Sequence, residues 1–363
     1  MTRKETFNFS SGPSVLPTQV LERAGAEISD FGSSGMSIME MSHRSPLFTG
    51  IFGEVKAKLK SALSIPDSRE ILFLQGGASL QFSMVPMNLM GENGRADYAV
   101  TGSFSNIAYK EAKKYGYANL AASSEDKNHT YIPVQEKLAT DPAASYFYYC
   151  ANNTVYGTQW KYVPDTGSVP LVCDMSSEIL SKPVDVSKYG VIFAGAQKNM
   201  APAGLTVVII DKTLTGRELR YTPLMMSYAL MAEKDSMYNT PPCWNIYILG
   251  LVLDRLESSG GVKSMQKETA EKAKTVYDFL DGSDMYKPFA EPGSRSDTNI
   301  TFSTGSEELD ADFAKSAARR GLMNLKGHRS VGGLRASIYN AQPIEGVTAL
   351  IDFMKDFEVK NRV

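Results

Sequence analysis

The chain has 363 residues, 43% hydrophobic and 21% charged, and its 38 Lys and Arg nearly balance 40 Asp and Glu, leaving a net charge of −2. That balance argues against a nucleic-acid groove or a polybasic membrane anchor, each of which needs a cationic surplus on one surface, and the composition excludes global disorder. The longest aliphatic run, 205–210, is far short of the roughly 20 residues that cross a bilayer. Length alone suggests about two domains. The N-terminal residues Met1-Thr2-Arg3-Lys4 carry no secretory apolar stretch, so a cytoplasmic location is expected. Cys150, Cys173 and Cys243 form no C-x-x-C, which argues against a disulfide framework or a metal site. Asn128, Asn152 and Asn299 head glycosylation sequons that would matter only in a secreted protein.

Residues 1–16 are rich in Ser, Gly and Pro and read as a loop rather than part of the sheet. Phe52, Val55, Leu59 and Leu63 recur at helical spacing, predicting an amphipathic helix over 52–63, and the apolar run 71–74 predicts a buried strand. Further strands are predicted at 96–100, 146–149, 169–173, 191–193 and 205–210, with helix or loop between most of them. Short apolar strands separated by helices imply an α/β fold with a largely parallel sheet covered on both faces. Ser258-Ser259-Gly260-Gly261 interrupts the later chain. We place the domain change there: a large domain over 17–258, a small C-terminal domain over 259–363, and the strip 1–16 joining them.

In open α/β sheets ligands bind beyond the carboxyl ends of the strands. Gly76-Gly77-Ala78-Ser79 follows a predicted strand and opens a helix through Phe82, Val85 and Leu89. Its glycines admit close backbone approach, and free N–H groups at a helix start suit a phosphate, although such a turn is also common without a ligand. Asp174 ends another strand, where it either faces the ligand crevice or caps the next helix. Lys198 follows a third strand and the small residues Ala194-Gly195-Ala196, which leave room for a planar ligand. A phosphate cup, an aromatic at Phe104, a strand-end acid and a strand-end lysine together suit pyridoxal 5'-phosphate. Its phosphate needs a helix start, its ring a stacking face, its pyridine nitrogen a carboxylate and its aldehyde an amine. Two of the three histidines precede an arginine, in His43-Arg44 and His328-Arg329. Arginine binds carboxylate or phosphate through paired N–H bonds, so these doublets read either as anion recognition or as surface ion pairs.

Met36-Ser37-Ile38-Met39-Glu40-Met41-Ser42-His43-Arg44, Gln75-Gly76-Gly77-Ala78-Ser79, Gly195-Ala196-Gln197-Lys198-Asn199, Asn239-Thr240-Pro241-Pro242 and the block from Gly327-His328-Arg329 to Arg335-Ala336-Ser337 resemble the phosphoserine aminotransferase family. The resemblance runs from about Phe7 to Pro343. It implies a homodimer of fold-type I, class V pyridoxal phosphate enzymes. In it Lys198 would hold the cofactor, Asp174 face its ring nitrogen, Phe104 stack on it, Thr154 and Gln197 touch it, and Ala78 and Ser79 meet its phosphate. Asn239 and Thr240 match residues that reach the phosphate of the neighbouring subunit's cofactor. Arg335 matches the partner of the substrate α-carboxylate and Arg44 a glutamate contact, with His43, His328 and Arg329 completing the anion pocket. Many members carry tryptophan in place of Phe104 and some an arginine in place of Ser79, so phosphate binding here would rest more on backbone N–H groups.

The implied reaction is ping-pong transamination from L-glutamate to 3-phosphohydroxypyruvate, giving O-phospho-L-serine and 2-oxoglutarate for L-serine synthesis. Some relatives also act on the phosphorylated threonine analogue of vitamin B6 synthesis. The competing readings are another class V enzyme, such as an alanine–glyoxylate type aminotransferase, or a non-catalytic phosphometabolite-binding protein. The absence of a dinucleotide glycine fingerprint argues against an oxidoreductase.

Overall fold

In chain order the strands are β1 (Phe7–Asn8), β2 (Arg69–Leu74), β3 (Arg95–Val100), β4 (Tyr117–Ser123), β5 (Phe147–Cys150), β6 (Asn152–Asn153), β7 (Thr158–Gln159), β8 (Leu171–Asp174), β9 (Val191–Gly195), β10 (Thr206–Asp211), β11 (Lys287–Pro288), β12 (Asn299–Ser303), β13 (Leu322–Met323) and β14 (Leu334–Ser337). The α-helices are α1 (Thr18–Ala26), α2 (Pro46–Ala62), α3 (Gly77–Leu89), α4 (Ser103–Ala112), α5 (Tyr228–Glu233), α6 (Cys243–Ser258), α7 (Gly261–Gly282), α8 (Glu307–Arg319) and α9 (Ile344–Asn361). The structure, a computed structural model, describes residues 2–91 and 94–361.

Seven strands form the central sheet in the order β2-β10-β9-β8-β5-β3-β4. All neighbours pair in parallel except β10, which is antiparallel to both β2 and β9. Strand alternation divides the apolar runs between two cores: Ile71 and Phe73 enter one cluster with Ile192, Ala194, Val207 and Ile209, while Leu72 and Leu74 enter another with Tyr148, Phe193 and Val208. Burial on both faces is why these strands read as continuous rather than alternating hydrophobic runs.

Each of the six predicted strands is present, shifted by a residue or two. The antiparallel β10 was not foreseen. Only residues 196–205 separate it from β9, too few for the dozen or more that a parallel crossover takes. The tight return therefore holds Gln197, Lys198 and Asn199 at the sheet end. The edge strand β4 was also missed, because its alanine-rich sequence carries little periodicity and Leu120 faces solvent. The predicted helix 52–63 begins earlier, at Pro46, where Ser45 accepts the Phe48 N–H at 3.3 Å as an N-cap.

A third core gathers Phe9 with Val276, Leu280, Phe302, Phe313, Ala336, Met354 and Phe357, around the antiparallel sheet β11-β12-β14. The Ser258-Ser259-Gly260-Gly261 break separates α6 from α7. Helix α7 then passes between cores, with Met265 in the first cluster and Val276 in the third. The N-terminal strip is not entirely loop: Phe7 and Asn8 pair in parallel with Leu322 and Met323. Beyond that pair the strip crosses to the central sheet, where the Ser14 N–H donates to the Gln197 carbonyl at 2.9 Å.

Candidate active site

Asp174 and Lys198 come from the ends of neighbouring strands, one the last residue of β8 and the other in the β9–β10 turn, and both are buried. Asp174 Oδ1 accepts the Ser176 N–H at 2.9 Å. This closes a local turn and caps no helix. Burial raises the Asp174 pKa above the usual carboxylate range, opposed by the Ser176 hydrogen bonds and by the Lys198 charge. A carboxylate held out of water with one nearby cation is suited to a second positive partner.

Lys198 Nζ donates to Thr154 Oγ1 at 2.7 Å and stands 5.7 Å from the centre of the Phe104 ring. Thr154 sits in the turn between β6 and β7, and Phe104 in the first turn of α4. Two strip residues that sequence reasoning passed over complete this region: Ser14 Oγ donates to the Lys198 carbonyl, and Ser11 meets Arg335. Gln197 belongs to the same turn; a Cβ on Gly195 would lie 2.6 Å from its side-chain oxygen, so the small residue lets Gln197 fold back.

The start of α3 has the form expected of an anion cup. Gly76 adopts φ +90°, and a Cβ there would come within 2.4 Å of Leu80 Cδ2. Ala78 is half-buried and Ser79 exposed in the first turn. Gln75 Nε2 donates to the Thr240 carbonyl at 2.9 Å, so the Asn239-Thr240 segment is tied to this loop within its own chain while both of its side chains stay exposed.

Arg335 on β14 donates to Ser11 Oγ at 2.7 Å and to the Thr154 carbonyl at 3.3 Å. Among the described residues no carboxylate lies within ion-pair distance of it. Burial lowers its pKa from the usual guanidinium value, with Tyr339 acting in the opposite sense. A mostly buried cation bound only to neutral oxygens is a ready anion acceptor. His328 lies close enough to Arg335 and Arg329 that, after burial, their charges push its pKa down; its Nδ1 pairs with Ser330 Oγ at 2.7 Å.

The structure thus brings together Asp174, Lys198, Thr154, Gln197 and Phe104, and links Arg335 to them through Thr154. His43 and Arg44 stand apart. They precede α2, Arg44 is exposed, His43 Nε2 is buried without a partner, and among the described residues no hydrogen bond or ion pair joins them to Lys198 or Arg335. No group of acidic, His and Cys side chains among the described residues has the makings of a metal site.

These donors fit pyridoxal phosphate: a buried amine, a buried acid on the adjoining strand, an aromatic face beside the amine and a glycine-opened helix start. The class-V aminotransferase family profile matches residues 6–350. A phosphoserine aminotransferase of Lysinibacillus sphaericus is 51% identical over the full length of both chains. The solved phosphoserine aminotransferase of Bacillus circulans subsp. alkalophilus superposes with a TM-score of 0.97 at 45% identity, covering 99% of this chain and 100% of that one. That of Trichomonas vaginalis with pyridoxal phosphate bound gives 0.92 at 38% identity, covering 96% and 99%. The chain belongs to the class-V aminotransferases, in their phosphoserine aminotransferase branch.

Proposed function

We propose that the Lys198–Asp174 site carries out the transamination of 3-phosphohydroxypyruvate with L-glutamate, giving O-phospho-L-serine and 2-oxoglutarate. The observation that carries this reading is the convergence of a buried lysine amine and a buried carboxylate on adjacent strand ends beside Phe104. Pyridoxal phosphate supplies, when bound, an electron-withdrawing ring that accepts the electron pair released as the substrate's α C–H bond ionises. Lys198 would hold the cofactor covalently, and its freed Nζ would take and return the α proton of the substrate. Thr154 Oγ1, 2.7 Å from that nitrogen, keeps the amine oriented. Asp174 would keep a proton on the ring nitrogen, Phe104 would offer a stacking face, and Gln197, Ala78 and Ser79 would complete the cofactor contacts, with the α3 N–H groups available to the phosphate.

Arg335 receives the α-carboxylate, which gives its buried charge a partner. His328 and Arg329 take the second anion of the substrate, a phosphate in one half-reaction and a carboxylate in the other. His43 and Arg44 serve the same anions, and Asn239 and Thr240 the cofactor phosphate, across a homodimer interface. Among the described residues no hydrogen bond or ion pair joins His43 or Arg44 to Lys198 of their own chain, and the Asn239 and Thr240 side chains are exposed, which supports that arrangement. We also read residues 259–363 as a small domain, supported by the separate core around β11-β12-β14, and the location as cytoplasmic, in keeping with the lack of any helix among the described residues that is long and apolar enough to cross a membrane.

Lys198→Ala tests the assignment. Transamination is expected to fall below detection while far-UV circular dichroism and the melting transition stay those of a folded protein. A variant with near wild-type turnover would remove Lys198 from the mechanism.

A further inference from the structure

Behind the site, a chain of hydrogen bonds between buried polar groups runs from the β6–β7 hairpin to the C-terminal sheet and the N-terminal strip, and returns through Arg335 to Thr154, two residues along the chain from Asn152. Asn152, two residues before Thr154, donates to Asn299 Oδ1 at 2.7 Å and to Ser177 Oγ at 2.8 Å. Asn299, the first residue of β12, donates to Ser337 Oγ at 2.9 Å and to the Tyr339 hydroxyl at 3.0 Å. The Tyr339 hydroxyl donates in turn to the Ser11 carbonyl at 2.9 Å. Ser11 Oγ accepts from Arg335, and Arg335 donates back to Thr154. Asn152, Asn299, Ser337 and Tyr339 are each at most 1% exposed.

Groups so far from water must be paired, and a network in which the Asn152 and Asn299 amides each donate to two buried partners holds its members in place. The one cationic fork in this network is Arg335, and its direction is set by where the Ser11 hydroxyl and the Thr154 carbonyl stand. Ser11 lies between the β1 pairing and the Ser14–Gln197 contact, and the Tyr339 hydroxyl supplies the hydrogen bond to its own backbone carbonyl. We propose that Tyr339, held by Asn299, is a positioning residue for substrate binding: by fixing Ser11 it aims the Arg335 guanidinium toward the incoming carboxylate. The inference rests on the reading of Arg335 as the carboxylate partner. It touches neither the cofactor nor the reacting atoms, so its effect falls on substrate affinity.

Tyr339→Phe keeps the ring and the packing while deleting the hydroxyl. In the cofactor-loaded protein the visible spectrum before substrate is expected to be unchanged, with the KM for phosphoserine raised about three- to tenfold, as one lost hydrogen bond warrants, and kcat lowered by a smaller factor. The decisive arm is the same change in an Arg335→Lys background, since lysine cannot form the fork that Ser11 orients. There Tyr339→Phe is expected to add nothing to the KM. An unchanged KM in the single variant, or an equal rise in both backgrounds, overturns the proposal, because a merely structural role would act alike in both. An Arg335→Lys variant with wild-type KM removes the carboxylate reading itself and is distinguishable from either result. Should Tyr339→Phe fail to fold, Ser11→Ala deletes the Arg335 acceptor from the strip side and is expected to raise the KM in the same way; no rise again overturns the inference.

Discussion

The cofactor side and the substrate-anion side of the site are built differently. Asp174, Thr154 and Lys198 are buried and hydrogen-bonded within one chain, Asp174 and Lys198 at the end of the central sheet and Thr154 in the β6–β7 turn beside it. Arg44 and Arg329 are exposed, and among the described residues His43 Nε2 has no partner. On the proposed assignments, the groups meant to hold a fixed geometry are overdetermined by their own fold, whereas those meant to meet exchanging anions are left with open donors. Arg335 lies between these extremes: anchored to Ser11 and Thr154, yet without a counter-ion among the described residues. The contrast implies that changes on the first side alter the chemistry and its electrostatics, while changes on the second alter which substrate is bound.

The largest effect is expected for Asp174→Asn. A neutral amide cannot hold the proton of the cofactor ring nitrogen, so kcat should fall by at least about 100-fold with the fold intact. Stability of the cofactor-free protein should move the other way. Because burial raises the native Asp174 pKa above its unfolded value, the native state binds that proton more tightly than the unfolded state. Its contribution is therefore present below the ordinary carboxylate pKa of about 4 and is lost as pH rises through the native value. Cofactor-free Asp174→Asn should melt no lower than wild type at pH 7, with a flatter dependence on pH above about 4. A variant that loses stability but keeps its rate would reverse the comparison, making Asp174 a purely structural turn residue.

A smaller and more selective effect is expected on the anion side. Arg329→Ala should raise the KM for phosphoserine about 10- to 100-fold, the range for a lost charge-assisted contact, while unphosphorylated analogues are affected much less. Equal losses for both would mean that Arg329 supports the loop before β14 rather than reading the phosphate.

How much of this was legible in the sequence follows from range. Residues at strand ends announce themselves, because a short apolar run stops at Asp174 and another stops just before the small residues that precede Lys198; Asp174, Phe104 and Lys198 were candidates without the fold, and the structure brings them together. What joins them was not legible in the sequence. Thr154, Gln197, Asn239, Thr240 and Arg335 were reached only through the family resemblance, since turn residues carry no periodicity and a single arginine on a four-residue strand stands out no more than any other. Ser11 and Ser14 lie in a strip whose composition reads as loop, and their role depends on contacts with residues more than 180 positions away. Asn152 and Asn299 read as sequons, yet the structure buries both and pairs them across 147 residues, a link no local pattern encodes. The antiparallel turn of β10 was missed for a related reason: strand direction depends on connection length, which apolar runs do not mark.

The central claim is that the buried Lys198–Asp174 pair and the arginine-lined anion pocket act as one site for phosphoserine. It is tested most directly by the visible spectrum of the purified, cofactor-loaded protein on addition of phosphoserine, with serine at equal concentration as control. The account predicts that the absorbance of the lysine-bound cofactor disappears with phosphoserine and persists with serine. Equal bleaching by serine would contradict the phosphate pocket, and absence of the lysine-bound absorbance after reconstitution with pyridoxal phosphate would contradict the site itself.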